Sequence, residues 1–312
     1  LISIVLLLTR KVPSFSFNYD FLKCFTGHSI NFTLFENFLE INMFSTLNKF
    51  NEFGRIIDAI SSNNVSNENI VNYLPTNPYV FAHINGKPGE ILSLIKKVVP
   101  STKLKIESFF KAIDKFLELD FNKLFFNQIG KRMGISIYDF DPNIFLLDIN
   151  VILNMNFIAY IEITNSINSG KIIKNFIKNA KKINPGATYS IISLNGVNFY
   201  SVKLKKMMLI GIFNNYILIG TNKTTIENVI KSMTARKQTG FLKSLQAKNF
   251  TERLNKGAGL NFFINLQKVF KNSIITPLVR ANGILLDNLK NFYISSGYYD
   301  GAISTTISLF FK

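Results

Sequence analysis

The sequence predicts an α+β fold: an antiparallel sheet, or sheets, built from hairpins and repeated strand–turn–helix units, with helices packed on the sheet. Three observations predict it. Asn195-Gly196, Asn214-Asn215 and Asp300-Gly301 each separate two short apolar or alternating runs. Such dipeptides suit the positive φ of the tight turns that join antiparallel strands. A pattern of strand, polar turn and helix recurs at 79–99, 157–183, 216–233 and 259–275, sharing hydrophobic pattern and not residues. Met207–Phe213 and Tyr216–Ile219 are apolar on both faces, which marks central strands covered by helices on at least one side. Tight hairpins need no crossover helix, so a doubly wound parallel sheet is disfavoured.

Residues 1–70 form a poorly defined N-terminal segment. The apolar run Ile2–Leu8 is followed by Arg10 and Lys11. It is short of the ~20 residues that cross a bilayer, and a signal peptide carries its basic residues before the apolar run. Three readings stay open: a truncated membrane anchor, a fragment, or a stretch upstream of a start at Met43. Residues 12–50 are rich in Phe and Asn without clean periodicity, and a helix is expected at about 43–60. The polar linker Asn63, Asn64, Ser66, Asn67 and Asn69 then leads into an α+β body over 71–312. A division of that body into two sub-domains near 150–185 stays open.

In the body, Tyr79–Asn85 reads as a strand and Asn85-Gly86 with Pro88-Gly89 as its turn, Pro88 being suited to open a helix. Ile91, Leu92, Leu94, Ile95, Val98 and Val99 recur at a helical period. Helices are expected at about 103–118 and 121–131, then strands at 134–138, 144–153 and 157–164. A helix follows over 171–183. Paired strands are expected at 187–194 with 197–204 and at 207–213 with 216–220, then a helix from about 224 to 233. The pattern closes with a strand at 259–265, two helices within 266–290, and strands at 291–299 and 302–311.

With 312 residues, 47% hydrophobic content and 31 Phe, the chain is long and apolar enough for a large core, and disorder is strongly disfavoured. Cys24 is the single cysteine, so no disulfide forms within the chain, which suits cytoplasm or periplasm. The charge is lopsided. Residues 149–312 carry 21 Lys and Arg against five acids, whereas residues 1–148 carry 15 against 14. Ile, Asn, Lys and Phe all have AT-rich codons, so codon drift accounts for part of the lysine. It does not account for the missing acids. A surface of one sign attracts polyanions and anionic membranes.

No catalytic, cofactor-binding or metal motif stands out. His28 and His83 are the only histidines, which strongly disfavours a His/Cys zinc site within the chain. His83 shares one strand face with Tyr79, Phe81 and Asn85, and a hydrogen-bonded surface or semi-buried role fits it better than catalysis. Asp139-Phe140-Asp141-Pro142-Asn143 begins like a calcium loop, but Ile144 and Asn150 stand where Gly and a bidentate Glu are required, so it reads as a turn. Ser93–Lys96 and Ser108–Lys111 fit S-x-x-K at the rate that abundant lysine produces, without the companion motifs. Gly86-Lys87-Pro88-Gly89 could hold an anion on free N–H groups, and turn chemistry explains it equally.

The basic residues that remain are Lys171, Lys174, Lys178, Lys181 and Lys182, on the polar side of a helix whose other side carries Ile172, Ile173, Phe176, Ile177 and Ala180, together with Lys203, Lys205 and Lys206. These eight are the candidate contacts with an anionic surface; a plain solvated helix face is the competing reading. Phe199 shares a face with Lys203 and Lys205, but one aromatic is no stacking platform. Arginine, which favours bidentate phosphate and base contacts, is sparse, so sequence-specific nucleic-acid binding is disfavoured.

Leu74-Pro75-Thr76-Asn77-Pro78-Tyr79-Val80-Phe81, Leu119–Lys123 leading to Gly130, and Phe241–Leu245 resemble in spacing a bacterial envelope-associated family of unknown function with a Leu-Pro-led first strand. The resemblance covers about 72–312. It implies a duplicated α+β body, exported or tethered at the envelope, with no known activity and no catalytic residue to carry over; a start at Met43 would instead imply cytoplasm. The expectation is a non-enzymatic structural or interaction protein of the cell envelope, its cationic C-terminal half facing an anionic membrane surface or envelope polyanion. A lipid or other hydrophobic-ligand carrier with an apolar cavity is the first alternative, and nonspecific nucleic-acid binding the second.

Overall fold

The computed structural model describes residues 23–34, 36–48, 50–61, 70–86, 88–98, 107–108, 111, 128–139, 155–164, 166–183, 186, 188–203, 207–244, 259–271, 288–299 and 302–311. Their strands are β1 (Phe25–Leu34), β2 (Phe38–Leu47), β3 (Val80–Asn85), β4 (Ile129–Asp139), β5 (Asn156–Ile163) and β6 (Thr188–Leu194). They continue with β7 (Val197–Lys203), β8 (Met207–Phe213), β9 (Tyr216–Gly220), β10 (Leu260–Ile264), β11 (Leu289–Tyr299) and β12 (Ala302–Phe311). All join one sheet in the order β1-β2-β12-β11-β10-β3-β4-β5-β9-β8-β7-β6, and every described neighbour pair is antiparallel. The sheet is therefore continuous through 150–185, because β5 pairs with both β4 and β9.

Six α-helices have described bounds, α1 (Glu52–Ser61), α2 (Pro88–Val98), α3 (Ser166–Ile183), α4 (Lys223–Thr234), α5 (Phe241–Ser244) and α6 (Leu266–Lys271), with a 3-10 turn at Ile70–Tyr73. The fold is thus a helix-decorated antiparallel sheet, α+β in class and dominated by strands. Asn195 and Gly196 take φ of 51° and 80° and Asn214 takes 50°, the conformation that tight hairpin turns require. The side chain of Asn222 accepts from Thr225 N at 3.0 Å and caps α4, satisfying an N–H that the helix itself cannot.

Two expectations are corrected. The helix expected at about 43–60 is a strand up to Leu47 and a helix only from Glu52. In 38–47, Leu39, Ile41, Met43 and Leu47 alternate with polar or aromatic positions, a period of two that the run of Phe and Asn around it obscures. Asn51 then accepts from Phe53 N through its side chain, starting α1 afresh. Residues 129–131 belong to β4 and not to the end of a helix. Of the helix expected at 103–118 only residues 107–108 and 111 are described, and they are helical; the strand at 144–153, most of 121–131 and 272–287, and the turn at Asp300-Gly301 lie outside the described residues.

Pairing registers align side chains into rows that run the whole width of the sheet. On one face, Phe32, Ile41, Ile307, Ile294, Phe262, Ala82, Ile135, Ala159, Ile219, Ile210, Tyr200 and Ile191 stand side by side, one from each strand. On the other face the neighbouring row is Asn42, Thr306, Ser295, Asn261, His83, Gly134, Tyr160, Leu218, Gly211 and Phe199. We call the first face the back and the second the front. The front is buried where it is polar: Ser295, Ser304, Thr306 and Ser308 are buried, and Thr306 Oγ1 donates to Asn42 Oδ1 at 2.5 Å while Ser295 Oγ donates to Asn261 Oδ1 at 2.8 Å. Pairing these groups across strands removes most of the cost of burying them.

The largest core lies on the front, where Phe81, Ile158, Leu209, Leu218 and Phe263 meet Ile226, Val229 and Ile230 of α4, Phe241 of α5, and Ile70, Val71 and Leu74. On the back, Ile173 and Ile177 of α3 pack on Ile163, Val202, Ile210 and Ile217. At the β2–β12 end, Phe53 of α1 and Leu94 and Val98 of α2 pack with Leu47, Cys24 and Ile303. Strands β8 and β9 thus have helices on both faces, which is why they are apolar on both.

Candidate functional site

The row of lysines singled out in the sequence lies on α3. Ile172, Ile173 and Ile177 are buried, whereas Lys171, Lys174, Lys178 and Lys181 are exposed. The spacing of three or four residues stacks those four on one outward stripe, about 15 Å long at 1.5 Å per residue. No acid occurs in 166–183. Lys181 Nζ lies 5.3 Å from the centroid of the Tyr189 ring on β6, an attraction that fixes the end of the stripe against the sheet. Lys203 is exposed and closes β7 opposite Thr188. It alternates with buried Phe199 and Ser201 on the front, so it does not share a face with α3. Phe199 is fully buried, which removes it as a stacking surface for bases. The side chain of Lys182, and Lys205 and Lys206 altogether, lie outside what is described.

A second constellation was not legible as a unit in the sequence. His83 on β3 and Tyr160 on β5 reach each other across β4, with 2.8 Å between His83 Nδ1 and the Tyr160 hydroxyl. Both are buried. Gly134 on the intervening strand makes the contact possible, because a Cβ there would lie 2.4 Å from the Tyr160 oxygen and 2.7 Å from the Ala82 carbonyl. Beside them Arg132, also buried, places Nη1 3.4 Å from the Tyr216 hydroxyl. Arg132 is set by an irregularity in β4 between Ile129 and Met133, which Glu162 ties down by accepting from Lys131 N at 2.9 Å and Arg132 N at 3.2 Å. Gly130 leaves the space for that carboxylate, since a Cβ would fall 2.5 Å from the Glu162 side chain.

The electrostatics of this cluster are those of a sealed interior. Burial, and then the Arg132 charge, lower the His83 pKa to about 3, so the imidazole is neutral. Burial raises the Tyr160 hydroxyl well above its ordinary value, with Tyr216 and Tyr138 adding to the shift, and burial likewise raises Tyr216. A general base near neutrality needs a pKa near the working pH, and neither group has one. The cluster is built to hold β3, β4, β5 and β9 together as neutral hydrogen-bonding groups around one buried cation. Had the register been known, the spacing of His83, Gly134 and Tyr160 would have revealed it; the sequence shows only that His83, Phe81 and Asn85 share a face.

The other motifs resolve simply. Gly86 N donates to Lys131 O at 2.7 Å, so part of the glycine-rich turn is used within the fold. Among the described residues, no group of three or more His, Cys, Asp and Glu could hold a metal ion, and no described helix is long and apolar enough to cross a membrane, which says nothing of strands. The Cys24 thiol is buried and pushed up to about 11 by burial.

No protein-family model and no curated protein matches the chain. Among solved structures, the one titled "Structure of crystal form I of TP0453" is similar over 78% of this chain and 79% of its own, with 9% identity and a TM-score of 0.33.

Proposed function

We propose that the protein is a non-enzymatic interaction protein of the cell envelope that docks on an anionic surface through its cationic C-terminal half, with α3 as the leading contact. The observation that carries this reading is the exposed, acid-free stripe of Lys171, Lys174, Lys178 and Lys181. Each lysine held near an anionic leaflet contributes about 1 kcal/mol, so four give about 4 kcal/mol, an affinity of about 1 mM from the helix alone. Residues 156–244, which build β5 to β9 with α3 to α5, carry 13 Lys and Arg against two acids, and the remainder of that surface adds to the attraction. The buried His83–Tyr160 pair supports no chemistry in this reading; it stiffens the scaffold.

Co-sedimentation with vesicles tests it. The protein should bind phosphatidylserine-containing vesicles, lose that binding steeply as salt rises, and ignore pure phosphatidylcholine. Replacing Lys171, Lys174, Lys178 and Lys181 by Glu should weaken binding at least about tenfold without altering the circular dichroism spectrum. Undiminished binding by that variant removes α3 as the contact, and salt-independent binding removes the electrostatic reading altogether.

A further inference from the structure

Strand β1 is an edge of the sheet. Its nine register pairs are all with β2, and among the described residues no strand lies on its outer side. Proteins blunt such edges with Lys, Pro, short strands or bulges. β1 has none of the first three: ten residues, FTGHSINFTL, without Lys, Arg, Asp, Glu or Pro. Its one irregularity is at the start, between Phe25 and Gly27. On its back face Ile30, Phe32 and Leu34 are 56%, 70% and 76% exposed. They continue inward as Ile30 beside Met43, Phe32 beside Ile41 and Ile307, and Leu34 beside Leu39 and Leu309. The apolar row that crosses the whole sheet therefore stops, uncovered, at Phe32.

We propose that the outer edge of β1 is the docking surface for a second copy of this chain, pairing β1 with β1 antiparallel about a two-fold axis at Phe32. In that register Phe32 stands beside its own counterpart and Ile30 beside Leu34 of the second copy, so the two stripes join into one continuous row across the seam. An isologous contact of this kind is self-complementary and closes. Pairing along the strand satisfies the outward backbone N–H and C=O groups of β1 and buries the facing flanks of three large apolar side chains per copy.

Charge selects a second copy over an anionic surface as the occupant. Residues 23–61, which hold β1, β2 and α1, carry Lys23, Lys49 and Arg55 against Glu36, Glu40, Glu52 and Asp58. That corner offers no excess positive charge to an anionic membrane and no repulsion to its own image. The cationic stretch 156–244 lies at the opposite end of the strand order. Six strands lie between β1 and β5, the nearest strand of that stretch; the seven steps span about 35 Å at the usual strand spacing, several Debye lengths at physiological salt. Ile191 on β6, 63% exposed, ends the same apolar row at the other edge, but there the cationic ends of two copies would meet.

Sedimentation velocity of the full chain across a concentration range tests the proposal. We expect a dimer that dissociates on dilution, persists at high salt, and is lost in Phe32→Lys but kept in Ile191→Lys. A monomer at every concentration, a dimer untouched by Phe32→Lys, or a dimer lost in Ile191→Lys would each overturn it, as would association that requires vesicles. Phe32→Cys supplies a second measurement that does not depend on a charge being tolerated. Facing Cβ atoms at that position come within disulfide reach, and Cys24 is buried, so mild oxidation should give a covalent dimer on a non-reducing gel. No cross-link in a protein of native spectrum would also overturn the proposal.

Discussion

Acid should destabilise this protein through one histidine, beginning as pH falls below about 6.5. His83 is buried against Tyr160 with Arg132 nearby, and its pKa is lowered from 6.5 to about 3. In the unfolded chain the same imidazole takes up a proton near pH 6.5. Below that pH the unfolded state binds a proton that the folded state refuses. Stability from this group is therefore whole above pH 6.5 and declines as pH falls toward 3. At pH 5 the loss is 1.5 pH units at 1.36 kcal/mol each, about 2 kcal/mol. With a urea slope of about 3 kcal/mol per M, the unfolding midpoint falls by about 0.7 M between pH 7 and pH 5. The control is His83→Asn, which can keep a hydrogen bond to the Tyr160 hydroxyl but has no titrating proton. Every other group is the same in both proteins and cancels in the comparison. The variant will be less stable at pH 7, yet its midpoint should fall less than the native one as pH drops. Parallel curves for the two proteins from pH 7 to pH 5 would refute the reasoning, because they would mean that His83 takes up its proton equally in both states.

Two further substitutions probe how the strands are locked. Gly134→Ala puts a methyl against the Tyr160 hydroxyl and the Ala82 carbonyl and should cost about 1–3 kcal/mol. Adding Tyr160→Phe removes the hydroxyl but leaves the ring carbon Cζ at 2.6 Å and the Ala82 carbonyl at 2.7 Å, so the double variant should recover little of that loss in thermal melts, and full recovery would show that neither is in the way. Asn222→Ala removes the cap that Thr225 N donates to and should cost about 1 kcal/mol, while Asn222→Asp keeps an acceptor and most of the stability; equal losses in the two would rule out capping as the cause.

What was legible in the sequence is what depends on neighbours along the chain. The β8–β9 hairpin was placed to the residue because two doubly apolar runs flank Asn214-Asn215, and the polar and apolar sides of α3 follow directly from its period. What was not legible depends on register between distant strands. His83 meets Tyr160 from 77 residues away, and only across a glycine that reads as unremarkable. In β12 the alternation of Ser304, Thr306 and Ser308 with Ile303, Ile307 and Leu309 is plain, but hydrophobicity alone would turn the isoleucines inward. The structure buries the hydroxyls, because Asn42 on β2 meets Thr306 there as a hydrogen-bond partner. The N-terminal hairpin was missed for a related reason: a stripe of Ile30, Phe32 and Leu34 left exposed is no guide to a core.

The charge asymmetry changes meaning once the strand order is known. By sequence the basic half begins after residue 148, which would include β10, β11 and β12. Topology returns those three strands to the end that holds β1 and β2, and of their residues only Lys290 is charged. The positive charge of the second half is therefore concentrated where β5 to β9 and α3 lie, while the near-neutral end keeps an uncovered apolar edge. Two surfaces of opposite character at opposite ends of one sheet respond oppositely to salt. Attraction of α3 to an anionic surface weakens as counterions screen it, whereas apolar pairing along β1 does not depend on net charge and strengthens in strongly hydrated salts such as sulfate. A salt titration that follows vesicle binding and self-association in the same samples separates the two proposals, because each can fail while the other stands.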